Sequence, residues 1–171
     1  ASKNDYDINL RYCGYETCAP NFRMNPHVRS EYLIHYVTSG KGLFTCENQT
    51  FPLNQHDIFM IRPSQISSYE TDPEFPLSFS WFAFAGEKVE QHISLLGFSR
   101  SCPIRKLPPR YSIDEYIHLL VEHLNTPGYQ NEFEIQSIIY SIMSNMEQAY
   151  SRSSNYRKNN QTITFVHVKR A

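Results

Sequence analysis

The sequence lacks the features by which phosphate-binding and nucleic-acid-binding proteins are usually recognised. Its 171 residues include six scattered glycines, so no glycine-rich phosphate loop is present. The formal net charge is -1, from 16 Lys and Arg against 17 Asp and Glu, whereas binding to a phosphate backbone needs clustered positive charge. The most basic stretch, Arg152 to Lys158, is flanked by serine and asparagine and is typical of a solvated linker.

Cysteine and histidine are also too sparse to indicate a metal or disulfide framework. The four cysteines have no C-x-x-C spacing, so we expect buried hydrophobic residues in a reducing compartment, the alternatives being a zinc site or disulfides. The seven histidines contain no His-x-His pair of the kind that presents two imidazoles to one metal ion. We therefore predict no metal ion and no cofactor, and no arrangement of Ser, His and Asp indicates nucleophilic catalysis.

Long apolar runs are missing as well. No run approaches the roughly 18 residues that a membrane helix needs, and the N-terminus has no signal-peptide pattern. We therefore expect a cytoplasmic protein without membrane contact.

Aromatic residues, by contrast, are plentiful. The chain has 12 Tyr and 11 Phe beside a single Trp. Such rings are apolar on the face, and those of tyrosine carry a polar tip. They suit both the core of a β-sheet protein and a pocket for a polar ligand.

The hydrophobic pattern changes near Gly86. Before it, short runs of β-forming residues alternate with turn residues, which predicts a sandwich or barrel. The predicted strands are Leu10–Cys18, Arg29–Ser39, Gly42–Cys46, Gln49–Leu53, Asp57–Arg62, Ser67–Thr71 and Leu77–Phe84. After Gly86, apolar residues recur at helical spacing and predict three helices. These are Glu87–Leu96, a helix from a capping box at Ser112–Glu115 to Pro127, and Asn131–Tyr150.

Both ends of the chain suggest a longer protein. The sequence begins at Ala1 instead of methionine. Ser151 to Asn160 is polar without periodicity, which is typical of a linker, and the segment from Thr162 regains apolar character before the chain stops at Ala171. We therefore expect this chain to be one piece of a larger protein.

Several groups of residues together resemble one known family. They are Tyr32-Leu33-Ile34-His35-Tyr36-Val37-Thr38-Ser39-Gly40-Lys41-Gly42, Leu53-x-x-x-Asp57-x-Phe59-x-Ile61-x-Pro63, Tyr69-x-x-Asp72-Pro73 and Trp81-x-x-Phe84-x-Gly86. The combination is similar to the N-terminal effector-binding domain of AraC-family transcription regulators, in particular those that control multiple-sugar or α-galactoside operons. It covers residues 8–107, whereas the helices agree with the family in order and length rather than by motif.

The resemblance implies a mostly β fold with added helices. Residues 1–107 would form a cupin-type jelly-roll β-barrel with an N-terminal arm and the first of about three α-helices. Residues 108–150 would form a helical dimerisation region, and residues 151–171 a linker toward a helix-turn-helix domain outside this chain. His56 stands where the family usually has a turn glycine, so we expect either φ below zero or a strained left-handed turn there.

The implied function is ligand sensing rather than catalysis. A sugar effector would bind in the barrel, the protein would be a homodimer, and DNA would be contacted only through the helix-turn-helix domain. An alternative is an atypical cupin enzyme, such as an isomerase or oxygenase. A further alternative is a protein-interaction module whose barrel is filled by side chains.

Strand alternation offers candidate ligand-binding residues. One face of the predicted strand from Arg29 carries Arg29, Glu31, Leu33, His35 and Val37. The opposite face is more apolar, but a small barrel around a polar ligand has a mixed interior, and the resemblance places Arg29 at a pocket-lining position. The alternative is that Arg29 and Glu31 form an exposed pair.

Further candidates come from other predicted strands. The resemblance matches Trp81 to a stacking tryptophan, with Phe79 on the same face, and Tyr69 to a ring that faces the sugar. Pro63 ends its strand by removing a hydrogen-bond donor, so Tyr69 returns on the next strand. Arg11 on the first strand is a weaker candidate at the mouth of the pocket. The alternatives are that Trp81 fills the core and that Tyr69 is an ordinary half-buried tyrosine.

The third predicted helix carries a broad apolar stripe. The resemblance implies that this helix makes the dimer contact. The candidate interface residues are Ile135, Ile138, Ile139, Ile142, Met143 and Met146. The alternative is that the whole stripe packs within the monomer.

Overall fold

The computed structural model describes residues 6–128 and 131–151. Most of the predicted N-terminal arm and all but the first residue of the predicted linker lie outside these ranges. The described strands are β1 (Asn9–Thr17), β2 (Arg23–Val28), β3 (Tyr32–Ser39), β4 (Lys41–Cys46), β5 (Gln49–Asn54), β6 (Asp57–Ile61), β7 (Ile66–Thr71), β8 (Ser78–Ala85) and β9 (Ile104–Lys106). The α-helices are α1 (Val89–Leu95), α2 (Asp114–Asn125) and α3 (Glu132–Ser151).

The strands form two antiparallel sheets. The five-stranded sheet has the order β1-β8-β3-β6-β9, and the four-stranded sheet has the order β2-β7-β4-β5. The chain crosses repeatedly from one sheet to the other, which is the double-sheet arrangement of a jelly roll. The predicted cupin-type barrel followed by helices is therefore confirmed.

The five-stranded sheet is buried on both faces. Its inner face, which points into the barrel, carries Leu33 and Val37 of β3, and these side chains pack with residues of the four-stranded sheet. Its outer face carries Ile34 and Tyr36, which pack with residues of all three helices. The prediction that Leu33, His35 and Val37 face inward is correct.

The crossing from β6 to β7 follows the predicted proline break. Strand β6 ends at Ile61, and the chain passes through Arg62 and Pro63 into the other sheet. The backbone N–H of Arg62 donates to the side chain of Gln65 at 3.1 Å, which replaces a bond of the ended ladder. This corner brings Tyr69 back on the opposite wall of the barrel.

Two short strands were not predicted. Strand β2 contains Pro26, which indicated a break, but the ladder of β2 with β7 accommodates it at a bulge between Met24 and His27. The strand predicted from Arg29 begins at Tyr32 instead. Strand β9 has three residues, too few for a periodic signal.

The helix ends correct one prediction and confirm another. The capping box at Ser112–Glu115 is wrong: the N-cap of α2 is Ile113, and Ser112 Oγ accepts a bond from the N–H of Asp114 at 3.3 Å. Helix α1 ends before Gly97, whose φ of 74° is the left-handed value of a glycine that follows a helix.

The turn at His56 takes the second of the two expected forms. Its φ is 68°, in the left-handed region that is unfavourable for a residue with a side chain. The ring of His56 makes a 2.8 Å hydrogen bond between its Nδ1 and the hydroxyl of Tyr36, which helps to stabilise this turn.

The apolar stripe of α3 is covered within one chain. All six candidate interface residues are buried, and they belong to the cluster formed with the outer face of the five-stranded sheet. This is the alternative that the sequence left open. Their role in a dimer contact stays a prediction. Because they are buried in the monomer, substitutions among them would also lower its stability. Within the described residues, no helix is long and apolar enough to cross a membrane.

Candidate ligand-binding site

A row of four inward-facing residues crosses the middle of the five-stranded sheet. Gly14 of β1 pairs with Trp81 of β8, Trp81 pairs with His35 of β3, and His35 pairs with Phe59 of β6. Directly paired residues project from the same face of a sheet. The row therefore combines a glycine, a large ring, an imidazole and a second ring on one wall of the barrel.

His35 is the polar centre of this wall. Only 3% of its surface is exposed, and its ring stacks on Phe59 with a centroid distance of 4.3 Å and an interplanar angle of 5°. Phe79 meets the imidazole edge-on at 5.2 Å, and Tyr69 approaches from the opposite sheet at 6.2 Å. The imidazole is thus enclosed by three aromatic rings.

This enclosure keeps His35 neutral. Burial, with a smaller contribution from the nearby charge of Arg29, lowers the pKa of His35 to about 3. Its Nδ1 atom is buried and has no hydrogen-bond partner among the described residues. A neutral imidazole offers one donor and one acceptor, so His35 has unused capacity inside the barrel.

Arg29 lies just before β3, and a hydrogen bond fixes its backbone. Its carbonyl oxygen accepts a 3.0 Å bond from the N–H of Ser64, which fixes it against the corner between β6 and β7. Its side chain points to Met24, with Nη2 at 4.0 Å from Sδ, and its buried Nε has no partner among the described residues. Arg29 therefore brings a positive charge and an unused donor close to His35.

Glu31 is not paired with Arg29. Among the ion pairs of the described residues, none joins these two side chains. Instead, Glu31 accepts a long bond of 3.4 Å from the hydroxyl of Tyr12, and a hydrogen bond from the Ser30 side chain lowers the pKa of Glu31. The exposed Arg29–Glu31 pair is therefore not formed.

Trp81 lies on the barrel wall and is partly exposed. Tyr12 meets its ring edge-on, with centroids 5.7 Å apart. Tyr69 is more deeply placed, and burial raises the pKa of its hydroxyl well above the ordinary value. Phe79 is buried and meets Tyr69 edge-on at 5.4 Å. Of the three rings Tyr69, Phe79 and Trp81, the first two are buried and Trp81 has accessible surface.

The seven predicted ligand-binding residues therefore divide into groups. Four of them form one cluster of rings: His35, Tyr69, Phe79 and Trp81. Arg29 lies close enough for its charge to lower the pKa of His35. Glu31 is linked to the cluster through Tyr12. Arg11 is exposed and lies at a bulge in the pairing of β1 with β8, so its role stays a prediction.

Sequence reasoning missed several residues of this wall and of the wall opposite. Phe59 and Ser67 occupy inward positions of β6 and β7, and strand alternation counted from Ile61 and from Tyr69 identifies them. Ser67 Oγ is buried without a partner among the described residues. Gly14 inside a predicted strand was a further signal, because glycine there often marks close packing. Tyr12 and Met24 gave no signal of their own.

The described residues contain no group of three or more His, Cys, Asp or Glu side chains placed to hold a metal ion. The site is instead a set of aromatic rings with an imidazole that feels the charge of Arg29, and with the carboxylate of Glu31 linked to the rings through Tyr12. Such a set suits a ligand that has both hydroxyl groups and apolar C–H surface.

Comparison with known proteins gives a family match and several relatives. The family described as AraC-like ligand binding domain matches residues 9–143. The chain is 26% identical over 167 residues to the Msm operon regulatory protein of Streptococcus mutans, covering 95% of this chain and 59% of that protein. It is 26% identical over 153 residues to the raffinose operon transcriptional regulatory protein of Pediococcus pentosaceus, covering 87% and 55%. The chain thus spans somewhat more than half the length of these relatives.

Solved structures of cupin proteins superpose on part of the chain. A predicted oxalate decarboxylase from Thermotoga maritima covers 43% of this chain and 65% of its own, with 20% identity and a TM-score of 0.41. A Cupin 2 conserved barrel domain protein from Salinispora arenicola covers 51% and 71%, with 13% identity and a TM-score of 0.41.

Proposed function

Because the chain belongs to the AraC-like ligand-binding domain family, we propose that it is the sugar-sensing domain of a transcription regulator, binding its effector without turnover. The observation that carries this proposal is the buried, neutral imidazole of His35 near Arg29, whose Nε has no partner in the described part of the chain, inside a barrel lined by aromatic rings. Buried polar atoms normally have partners, and a hydroxyl-bearing ligand supplies them here.

Each part of the site has a role in this proposal. Trp81 offers its accessible face to the C–H surface of a sugar ring, and the guanidinium of Arg29 donates to neighbouring hydroxyls. His35 holds one hydroxyl through Nδ1, and Glu31 accepts from another. The rings of Phe59 and Phe79 keep water away from the imidazole, so each hydrogen bond to it is made in an apolar surrounding.

The remaining functions belong to the full-length protein. The two relatives described above are named as regulators of the msm and raffinose operons. By analogy we propose that the full protein works in the cytoplasm and binds DNA through a helix-turn-helix domain after the linker at residues 151–171. The α-galactosides are accordingly the first effectors to test.

A titration tests the sugar proposal. Calorimetry with galactosides, glucosides and pentoses should find a saturable ligand, and its binding should change the emission of Trp81, which is the only tryptophan in the chain. The exposed Arg23→Met variant is a control that should bind like the parent, because Arg23 lies on the surface in an ion pair with Glu70. No binding across the panel, or stoichiometric metal with turnover, contradicts the proposal; the second outcome favours the cupin-enzyme alternative.

We propose that the protein forms a homodimer through the exposed side of α3 instead of its buried apolar stripe. The buried stripe of α3 is already covered, so a partner has to meet the helix on its solvent side, where Phe133 is 80% exposed and Tyr140, seven residues later, is 43% exposed. Phe133→Glu should then give a folded monomer at concentrations where the parent sediments as a dimer. A variant that is still dimeric, or a parent that is monomeric throughout, contradicts this contact.

A further inference from the structure

Gly14 has an unusual relation to Trp81. A Cβ atom added to Gly14 would lie 2.7 Å from Cζ2 of Trp81, 3.2 Å from Cε2 and 3.3 Å from Cη2. Favourable contacts between carbon atoms are at about 3.5 to 4.0 Å, so a side chain of any size would overlap the six-membered ring of the indole.

The backbone does not explain this glycine. Gly40 and Gly97 have φ values of 84° and 74°, which disfavour other residues, whereas Gly14 lies in a strand and has no such conformation. A strand glycine also costs conformational entropy and leaves no side chain to pack. What Gly14 provides is space, and the indole of Trp81 fills that space.

We propose that Gly14 is a specificity-determining residue: its missing side chain lets the indole of Trp81 lie against β1, and this placement sets the width of the sugar site. The inference rests on the proposed sugar-binding function. Ala83, the next inward residue of β8, is also small, so on that side the indole has little bulk beside it.

The surroundings decide where the indole goes if this space is closed. His35, Phe59 and Phe79 are buried and packed against one another, so they cannot retreat. Trp81 is partly exposed, so its ring can move only off the wall, toward the space used by the ligand or toward the mouth. Either movement removes the stacking surface from its place beside His35.

The consequence depends on ligand size. We expect a single sugar ring to shift with the displaced indole, whereas a longer saccharide, which is bound through more than one ring, cannot shift as freely. Gly14→Ala should therefore weaken binding of raffinose about tenfold or more, and binding of galactose by a smaller factor. The variant should also shift the tryptophan emission in the absence of any sugar.

The double variant Gly14→Ala/Trp81→Phe provides the matched control. Phenylalanine lacks the outer ring that a Cβ at Gly14 would touch, so Gly14→Ala should change raffinose affinity less than twofold in the Trp81→Phe background. An equal loss of affinity in both backgrounds would overturn the proposal, as would a Gly14→Ala protein with unchanged emission and affinity.

Two further outcomes are decisive. If Gly14→Ala does not fold but the double variant does, the steric relation is supported; if neither folds, it is rejected. A parent that binds none of the sugars contradicts the proposed function and the specificity role with it. The emission of Gly14→Ala then still decides whether Gly14 positions the indole, so the two failures are distinguishable.

Discussion

The two faces of the five-stranded sheet are built from the same strands but serve different purposes. Along β8, Phe82 points outward to the helices and is fully buried, whereas its neighbour Trp81 points inward and keeps accessible surface. Along β3, Tyr36 packs outward with the helices, whereas the inward His35 has a nitrogen for which the described residues offer no hydrogen-bond partner. The outer face holds the fold together, and the inner face combines packing with polar atoms that a ligand can use.

This contrast shows why burial alone does not identify a site. Both faces are buried, and the outer face also contains a buried polar side chain, Ser80, whose Oγ has no hydrogen-bond partner among the described residues. What distinguishes the inner face is that the buried imidazole of His35 lies near the charge of Arg29 and beside Trp81, a ring with accessible surface. Substitutions of adjacent residues can therefore separate stability from binding.

The largest effect is expected on the outer face. Phe82→Ala should lower the free energy of unfolding by about 3 to 5 kcal/mol, because it removes a fully buried ring from the cluster under the helices. Urea unfolding measures this loss. Sugar affinity of the molecules that remain folded should be unchanged; a selective loss of affinity would mean that the two faces are not separate.

The adjacent substitution tests the inner face. Trp81→Ala should weaken sugar binding by about 1 to 3 kcal/mol, because one large stacking surface is lost, while the free energy of unfolding changes much less than for Phe82→Ala. Calorimetry and urea unfolding give the two quantities. If the variant is unfolded at room temperature, Trp81 is a core residue after all.

The pH dependence of stability tests the burial of His35. Its pKa is about 3 in the folded protein and about 6.5 in an unfolded chain, so below pH 6.5 the unfolded state binds a proton that the folded state refuses. The stability that the neutral His35 contributes is therefore fully present above pH 6.5 and is lost as the pH falls from 6.5 toward 3. Between pH 7.5 and 5 we expect this residue to contribute a loss of about 1 to 2 kcal/mol.

Urea unfolding of the parent and of His35→Asn at several pH values isolates that contribution. Other groups titrate in both proteins, so the expected result is a shallower dependence in the variant between pH 7.5 and 5. Equal slopes in the two proteins would show that His35 accepts a proton in the folded state.

The smallest effect concerns Arg29. Arg29→Met should cost about 1 kcal/mol of sugar affinity, through lost hydrogen bonds. Thermal stability should be nearly preserved, because none of the ion pairs among the described residues includes the guanidinium of Arg29. The matched control is Arg23→Met on the surface. Equal affinities of the two variants would remove Arg29 from the site.

Much of the fold could be predicted because it depends on local pattern. Turn residues between short β-forming runs predicted seven of the nine described strands, and apolar residues at helical spacing predicted the helices to within about two residues. The resemblance added the inward direction of His35 and Trp81. Alternation alone did not give it, because β3 and β6 are buried on both faces and their apolar residues run on without a clear period of two.

The sequence by itself determined seven of the nine described strands, the three α-helices, the place where Pro63 ends a strand, and the aromatic composition of the barrel. Only the tertiary structure decided that the stripe of α3 covers the outer face of the sheet and that Pro26 fits at a bulge. It also decided that the indole of Trp81 packs where a side chain at Gly14 would lie. The physical reason is that periodicity shows which side of an element is apolar, but not what covers it. Contacts between β1, β3, β6 and β8 join residues that are far apart in the chain, and only chain folding brings them together.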